Sequence, residues 1–352
     1  MQKQLEELKK QLGESKVFRA SEAPEVEVIS TGVASLDFAT GVGGIPRGTV
    51  VEVFGRESSG KSTLLYYLIA EVQKKGGFAA LIDIEGTFDG PWAQKVAGVN
   101  LDDLLVVSPN PGTEAVETLA RLVTATDDTG KGVFDLVGFD SVGAMLTDKE
   151  QEVGSTKQAG GQSGLVTHMV KQIALPARRN KTSVVFLNHV RDVFDSMYAM
   201  EEGPGGHAIK HMAVMRIHLK PSMAKKFTKE AVIDGESIQV MHRVNAKIKK
   251  NKAGAPNRVA SWNFWNYESE DGIIGIDTQQ SFIDTALQQG LIDRKGAWYQ
   301  HPLFPGEKHQ LQGEKAVSEF LKSRPEVLDE LKQQLARLAF AQGSTPVRDT
   351  LG

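Results

Sequence analysis

Eight consecutive residues, Gly55-Arg56-Glu57-Ser58-Ser59-Gly60-Lys61-Ser62, match the pattern G-x-x-x-x-G-K-[ST] at every fixed position. Such a run binds polyphosphate. Its glycines let backbone N–H groups turn inward around an anion, and the helix that must follow adds the partial positive charge of its N-terminus. Lys61 is expected to reach the β- and γ-phosphates and the Ser62 hydroxyl to ligate Mg²⁺. ATP and Mg²⁺ are therefore the expected cofactors, held by residues Gly55 to Thr63. Two carboxylates extend the chemistry. Asp140 closes the apolar run that starts at Phe134 and is expected to hold Mg²⁺ through water or through Ser62. Glu85 closes Leu81-Ile-Asp-Ile-Glu85, and hydrolysis needs a carboxylate to orient and deprotonate the attacking water. Glu85 is the expected base, on a strand expected to lie next to the phosphate-loop strand. Asp83, on the same side of that strand in a period-2 reading, is its competitor and is expected to sit deeper in the sheet.

These groups must be positioned by regular elements. Thr49–Phe54 is β-branched and apolar, as a buried strand should be, and Leu64, Leu65, Leu68, Ile69 and Val72 recur at helical spacing after the loop. From Val26 to Asp140 strand and helix alternate. Strands are expected at 50–54, 78–84, 104–108 and 134–140, and helices at 62–75, 90–98 and 112–126. A helix over 165–179 and a strand over 183–188 continue the pattern. This alternation predicts an α/β fold with a mostly parallel twisted sheet and helices on both faces. Val214–Leu219 and Ile238–Lys249 read as further strands, antiparallel at one edge. Two polar, Gly-rich stretches, 150–164 and 190–207, follow strands and so belong to the face at the carboxyl ends of the sheet, where open α/β folds bind ligands. Residues 1–20 read as a helix with Leu5, Leu8 and Leu12 on one stripe, too short and polar to stand alone. Residues 275–340 read as a small α-rich lobe, helical from Leu311 to Ala341, so the expected division is 1–28, 29–274 and 275–352.

The 352 residues are 24% charged and 40% hydrophobic, ordinary for a water-soluble globular chain. No apolar run is long enough to cross a bilayer, and no signal-peptide pattern is visible near Glu6-Glu7-Leu8. With no cysteine, disulfides and Cys-ligated metals are excluded, and a cytoplasmic setting is expected without a membrane partner. The net charge of −3 conceals an asymmetry. Between Gly205 and Ala260 twelve Lys/Arg face three Asp/Glu, a local +9 against −12 elsewhere. That distribution suggests a basic face for a polyanion.

In order and spacing, Ile29-Ser30-Thr31-Gly32, Ser35-Leu36-Asp37, Gly43-Gly44-Ile45-Pro46-Arg47-Gly48, Glu57 to Thr63, Ile82 to Glu85, Asp140-Ser141, Gly205-Gly206-His-Ala-Ile-Lys210, Lys250-Asn251-Lys252 and Lys295 to Tyr299 resemble the RecA recombinases. The similarity runs from about Ile29 to about Leu338. It implies a RecA-type ATPase core with an N-terminal helix that docks on the adjacent protomer. It implies that Glu85 is the catalytic glutamate, that Asp89 and Trp92 meet the adenine, and that Lys250 and Lys252 reach a neighbour's γ-phosphate across a subunit interface. Trp92 stands where the family usually has tyrosine, which keeps an aromatic face for stacking. Loops 150–164 and 190–207 correspond to the two DNA-binding loops, with Gly205, Gly206 and Lys210 at the end of the second. Met197, Tyr198 and Met200 either wedge between bases or pack on their own core. His189 stands where the family has a glutamine that senses the γ-phosphate, a change that resembles the phage-encoded UvsX branch. It either takes over that sensing or caps the strand.

The function expected from these residues and this resemblance is ATP-dependent DNA strand exchange. A homo-oligomeric helical filament would form on single-stranded DNA, pair it with homologous duplex and hydrolyse ATP at subunit interfaces, with single-strand-binding and loader proteins as further partners. The alternatives are a ring-forming motor of the same core fold, such as a helicase, and a non-hydrolytic DNA-binding protein.

Overall fold

The computed structural model describes residues 2–12, 26–151, 161–192, 201–202, 207–222 and 224–343. Its centre is one ten-stranded sheet. We number its strands along the chain: β1 Val50–Gly55, β2 Ala79–Asp83, β3 Leu104–Val107, β4 Leu136–Asp140, β5 Ser183–His189, β6 Met215–Pro221, β7 Thr228–Ile233, β8 Glu236–Asn251, β9 Val259–Trp265 and β10 Gly275–Ile276. The order across the sheet is β10-β9-β8-β6-β1-β5-β4-β2-β3, with β7 paired to the outer part of β8. From β6 to β3 all neighbours are parallel, and β8, β9 and β10 add antiparallel strands. Two expectations about neighbours change. The strand at 214–219 is not an antiparallel edge; β6 lies inside the sheet, parallel to β1 and antiparallel only to β8. The strand leading to Glu85 is not next to β1, because β5 and β4 intervene.

Helices α1 to α10 follow in chain order: Gln2–Leu12, Ala34–Thr40, Lys61–Lys74, Gly90–Ala97, Thr113–Thr124, Gly161–Asn180, His207–Met212, Thr278–Gln288, Glu314–Ser323 and Pro325–Gly343. Alternate strand residues feed two cores. Val51, Val53, Val185, Leu187, Met215 and Ile217 pack on Leu64, Leu65 and Leu68 of α3, whereas Val50, Val184, Phe186, Val137 and Phe139 pack on Leu119 of α5 and on Met169 and Ile173 of α6. Strands apolar on both faces are what a parallel sheet sandwiched by helices requires.

The lobe beyond β10 holds a third core, around Phe282, Ile283, Tyr299, Phe304, Leu321 and Leu331, and Ala34 and Phe38 of α2 pack against it. It is less purely helical than expected. A three-stranded antiparallel sheet, Asp293–Lys295, Trp298–Gln300 and Gln310–Gln312, precedes α9. The helix expected over 311–341 is two helices, broken at Arg324 with φ −134° and ψ 71°. The proline that follows excludes the α region for Arg324.

Candidate ATP site at the carboxyl edge of the sheet

The phosphate loop forms where β1 ends and α3 begins. Gly55 is required by close approach: a Cβ there would lie 2.4 Å from the Leu219 carbonyl oxygen and 2.7 Å from Ser59 Oγ. Gly60 turns the chain into α3 at φ +86°, and Ser58 also lies in the left-handed region at φ +55°. Arg56, Glu57 and Ser58 are exposed, while Ser59, Lys61 and Thr63 are buried. The Lys61 ammonium folds back onto its own loop, donating to the carbonyls of Arg56 at 2.9 Å and Gly55 at 3.2 Å. Burial holds its pKa below the ordinary lysine value, against the pull of Asp140, Glu85 and Glu57.

The fit to a nucleotide is seen in what the loop leaves unused. Among the described residues Ser59 Oγ is buried without a hydrogen-bond partner. A buried hydroxyl without a partner, inside a loop bounded by Gly55 and Gly60, suits a phosphate oxygen. Ser62 Oγ donates to Asp140 Oδ2 at 2.8 Å, so the hydroxyl and the carboxylate converge as a Mg²⁺ pair requires. Burial raises the Asp140 carboxyl above the ordinary range, opposed by the Ser62 hydrogen bond, and a divalent cation there would favour the ionised form.

Glu85 lies just past β2, where Ile84 N–H donates to the Asp140 carbonyl at 2.7 Å and extends the ladder by one step. Its Oε1 accepts a short hydrogen bond from Ser141 Oγ and lies 3.4 Å from His189 Nε2. The three groups come from the ends of β2, β4 and β5. Asp83 is 4% exposed, and its two oxygens accept from the N–H groups of Thr87 and Phe88 at 3.3 and 2.9 Å. Asp83 shapes the loop that carries Glu85, and Glu85 alone of the two faces the site. His189 pairs in register with Gly55, which puts it at the mouth of the phosphate loop.

Asp89 and Trp92 sit at the start of α4. The Asp89 carboxylate caps that helix, accepting from Trp92 N–H at 2.9 Å, and the half-buried Trp92 ring packs on the first core. Tyr66 of α3 reaches this segment through edge-on contact with Phe88 at 5.9 Å, so the phosphate-loop helix anchors it.

Lys252 is exposed, whereas Lys250 is engaged within its own chain, donating to the carbonyls of Lys210 at 2.6 Å and His211 at 2.8 Å at the end of α7. Met197, Tyr198, Gly205 and Gly206 lie outside the described residues, as do most of loops 150–164 and 190–207. The described ends of both loops meet the site. Gln162 Nε2 donates to the carbonyls of Val142 and Gly143, directly after Ser141, and Arg191–Asp192 pairs with Glu201–Glu202 just beyond His189.

Sequence reasoning missed a buried ionic cluster under the phosphate loop. Glu52 of β1, 2% exposed, accepts from Arg216 Nε of β6 at 2.5 Å and from Asn188 Nδ2 of β5 at 2.9 Å, while the Arg216 guanidinium lies 4.7 Å from the Phe54 ring centroid. Arg216 therefore leaves the count of the basic face. Lys220, Lys225, Lys226, Lys229, Lys247, Lys249 and Lys252 are exposed. The available signal was Glu52, a charged residue in an otherwise apolar and fully buried strand; Arg216 stands in a strand that also carries His218 and Lys220.

A phosphate loop on a mostly parallel sheet, a hydroxyl–carboxylate pair for Mg²⁺ and a carboxylate at the strand ends define a P-loop ATPase. Family models narrow this: the RecA N-terminal domain matches residues 1–270 and the RecA C-terminal domain matches residues 280–339. The chain is 35% identical over 336 residues to Protein RecA of Rhodopirellula baltica, covering 94% of this chain and 83% of that protein. It is 34% identical over 341 residues to Protein RecA of Thermotoga maritima, covering 95% and 90%. With Protein RecA of Thioalkalivibrio sulfidiphilus identity is 36% over 337 residues, covering 94% and 91%. The chain belongs to the RecA family, DNA-dependent ATPases that bind ATP with Mg²⁺ and form filaments on DNA. Among the described residues no helix is long and apolar enough to cross a membrane.

Proposed function

We propose that this chain is an ATP-dependent DNA recombinase that assembles as a helical filament on single-stranded DNA and carries out homologous pairing and strand exchange. The observation that carries the reading is the convergence of Lys61, the Ser62–Asp140 pair and Glu85 on one edge of the sheet, in a chain matched almost end to end by the two RecA models. The ring-forming motor and the non-hydrolytic binder have no observation in their favour.

In this reading residues Gly55 to Thr63 cradle the triphosphate, Asp89 and Trp92 meet the base, and Ser62 with Asp140 holds Mg²⁺, which supplies charge neutralisation at the β- and γ-phosphates. Lys61 leaves its loop carbonyls for the phosphates. Glu85 takes the proton of the attacking water, Lys250 and Lys252 serve the neighbouring protomer's nucleotide, and His189 links the γ-phosphate to the loop that follows it. The exposed lysines of β7 and β8, with Lys210 and the two loops, track DNA phosphates without reading sequence. Residues 1–28 dock on the adjacent protomer, 29–274 form the ATPase core and 275–352 the appended lobe. The setting is cytoplasmic, with single-strand-binding and loader proteins as partners.

The test is strand exchange between circular single-stranded and linear duplex DNA with and without ATP, beside electron microscopy of the same mixtures. ATP-dependent joint molecules and helical filaments are expected for the parent and neither for Lys61→Ala. Closed rings, or exchange unaffected by Lys61→Ala, would refute the reading.

A further inference from the structure

We propose that Ser141 is a positioning residue for ATP hydrolysis, fixing the Glu85 carboxylate so that one of its oxygens is committed to the protein and the other is presented to water. The proposal rests on the reading of Glu85 as base.

Ser141 is the first residue past β4, completely buried, on extended backbone at φ −130° and ψ 161°. Its neighbour Asp140 points to the Mg²⁺ pair with Ser62, and Ser141 itself donates to Glu85 Oε1. One strand end therefore sets both the metal carboxylate and the base. His189 Nε2 approaches the same oxygen at 3.4 Å from the end of β5. Two groups thus converge on Oε1, and no described residue hydrogen-bonds Oε2.

This division of labour has a physical reason. Glu85 is exposed and lies beyond the end of its strand, so the ladder of β2 does not restrain its side chain. A glutamate with free rotamers spends little time in the geometry that removes a proton from a water placed in line with the γ-phosphate. A serine hydroxyl held in the interior has one proton to give, and giving it to Oε1 orients the carboxylate plane. In the reaction the water oxygen bonds to the γ-phosphorus as the bond from that phosphorus to the β–γ bridging oxygen breaks, its electron pair leaving with ADP. The water proton passes to Oε2. Misplacement of a reacting group by ~1 Å costs on the order of 100-fold in rate. The turn that follows Ser141 is itself braced: Gln162 of α6 donates to the Val142 and Gly143 carbonyls at 3.2 and 3.3 Å.

The experiment is a double-mutant cycle on full-length protein with saturating single-stranded DNA, using Ser141→Ala, Glu85→Gln and the combination. Single-turnover hydrolysis of radiolabelled ATP gives the rates, and titration with an imido-bridged non-hydrolysable ATP analogue and Mg²⁺ gives the binding. Ser141→Ala is expected to lower kcat by roughly 10- to 100-fold while analogue affinity stays within about twofold. In the Glu85→Gln background the same substitution is expected to change the residual rate by less than about twofold, because no base remains to be positioned. An equal loss in both backgrounds, an unchanged kcat, or a loss confined to analogue and Mg²⁺ affinity overturns the proposal, the last showing that Ser141 only supports Asp140. Parental hydrolysis by Glu85→Gln would instead sink the assignment of the base, a result distinct from any produced by Ser141. Analogue binding by each variant certifies that it is folded.

Discussion

Arg216→Met is the perturbation whose size the structure specifies best. Glu52 is 2% exposed and its carboxylate has two partners, Arg216 Nε at 2.5 Å and Asn188 Nδ2 at 2.9 Å. Methionine preserves most of the apolar stem on β6 but removes the guanidinium, and with it the counter-charge and the contact with the Phe54 ring. The carboxylate then stays buried with a single neutral donor. Removing one member of a buried ion pair costs about 3–5 kcal/mol, against a total stability on the order of 5–15 kcal/mol. Replacing both charges, as Glu52→Gln with Arg216→Met, leaves an amide that Asn188 can still bond, and the expected loss falls to about 1–2 kcal/mol. The double variant is then expected to be roughly 2–3 kcal/mol more stable than Arg216→Met alone. Urea unfolding followed by far-ultraviolet circular dichroism and by tryptophan fluorescence measures this, provided the two transitions coincide. The core residue Trp262 of β9 supplies a buried fluorescence probe. A single-variant loss under about 1 kcal/mol, or a double variant no more stable than Arg216→Met alone, would refute the idea of a buried charge pair beneath the phosphate loop.

Three further outcomes are expected. Lys250→Ala/Lys252→Ala protein binds ATP but neither assembles nor hydrolyses it, and mixing it with Lys61→Ala protein restores some hydrolysis, because mixed interfaces pair one intact loop with one intact pair of lysines. No recovery at any ratio argues for a site built within one chain; Lys252→Ala is the cleaner single variant, since Lys250 also holds the carbonyls of Lys210 and His211. His189→Ala keeps ATP binding but loses the ATP-dependent gain in affinity for single-stranded DNA measured by fluorescence anisotropy; an undiminished gain in the alanine variant excludes His189 as the sensor. Burial pushes the Asp37 carboxyl up to about 7, against the hydrogen bonds from Ser30 and Thr31. Because the folded state prefers the neutral acid, the stability this residue contributes is full below its unfolded value of about 3.9 and is lost as pH rises through about 7. Asp37→Asn should flatten the urea midpoint between about pH 4 and 7, and an unchanged slope contradicts the assignment.

What could be read in the sequence was local. The phosphate loop is a contiguous run whose glycines, lysine and hydroxyl act within one turn of chain, so Gly55 to Thr63 needed no fold to be recognised. The alternation of strand and helix likewise follows from period-2 and helical spacing, and it predicted the parallel sheet and the two helical faces. Asp140 could be singled out as an acid closing an apolar strand in a chain with a phosphate loop, but only the fold brings it to Ser62, across the intervening β5. Strand order was not legible. Hydrophobic runs say that a strand is buried but not beside which strand, and only the folded sheet put β5 and β4 between β1 and the strand of Glu85. That order is what joins Glu85, Ser141 and His189, residues from three strand ends separated by scores of positions along the chain. The basic segment shows the same limit, because counting charge cannot separate an exposed lysine on β8 from Arg216, which β1 and β6 bury against Glu52 in register. Side-chain chemistry is written residue by residue, but pairing between distant residues is decided by which strands become neighbours, and that is a property of the packed chain.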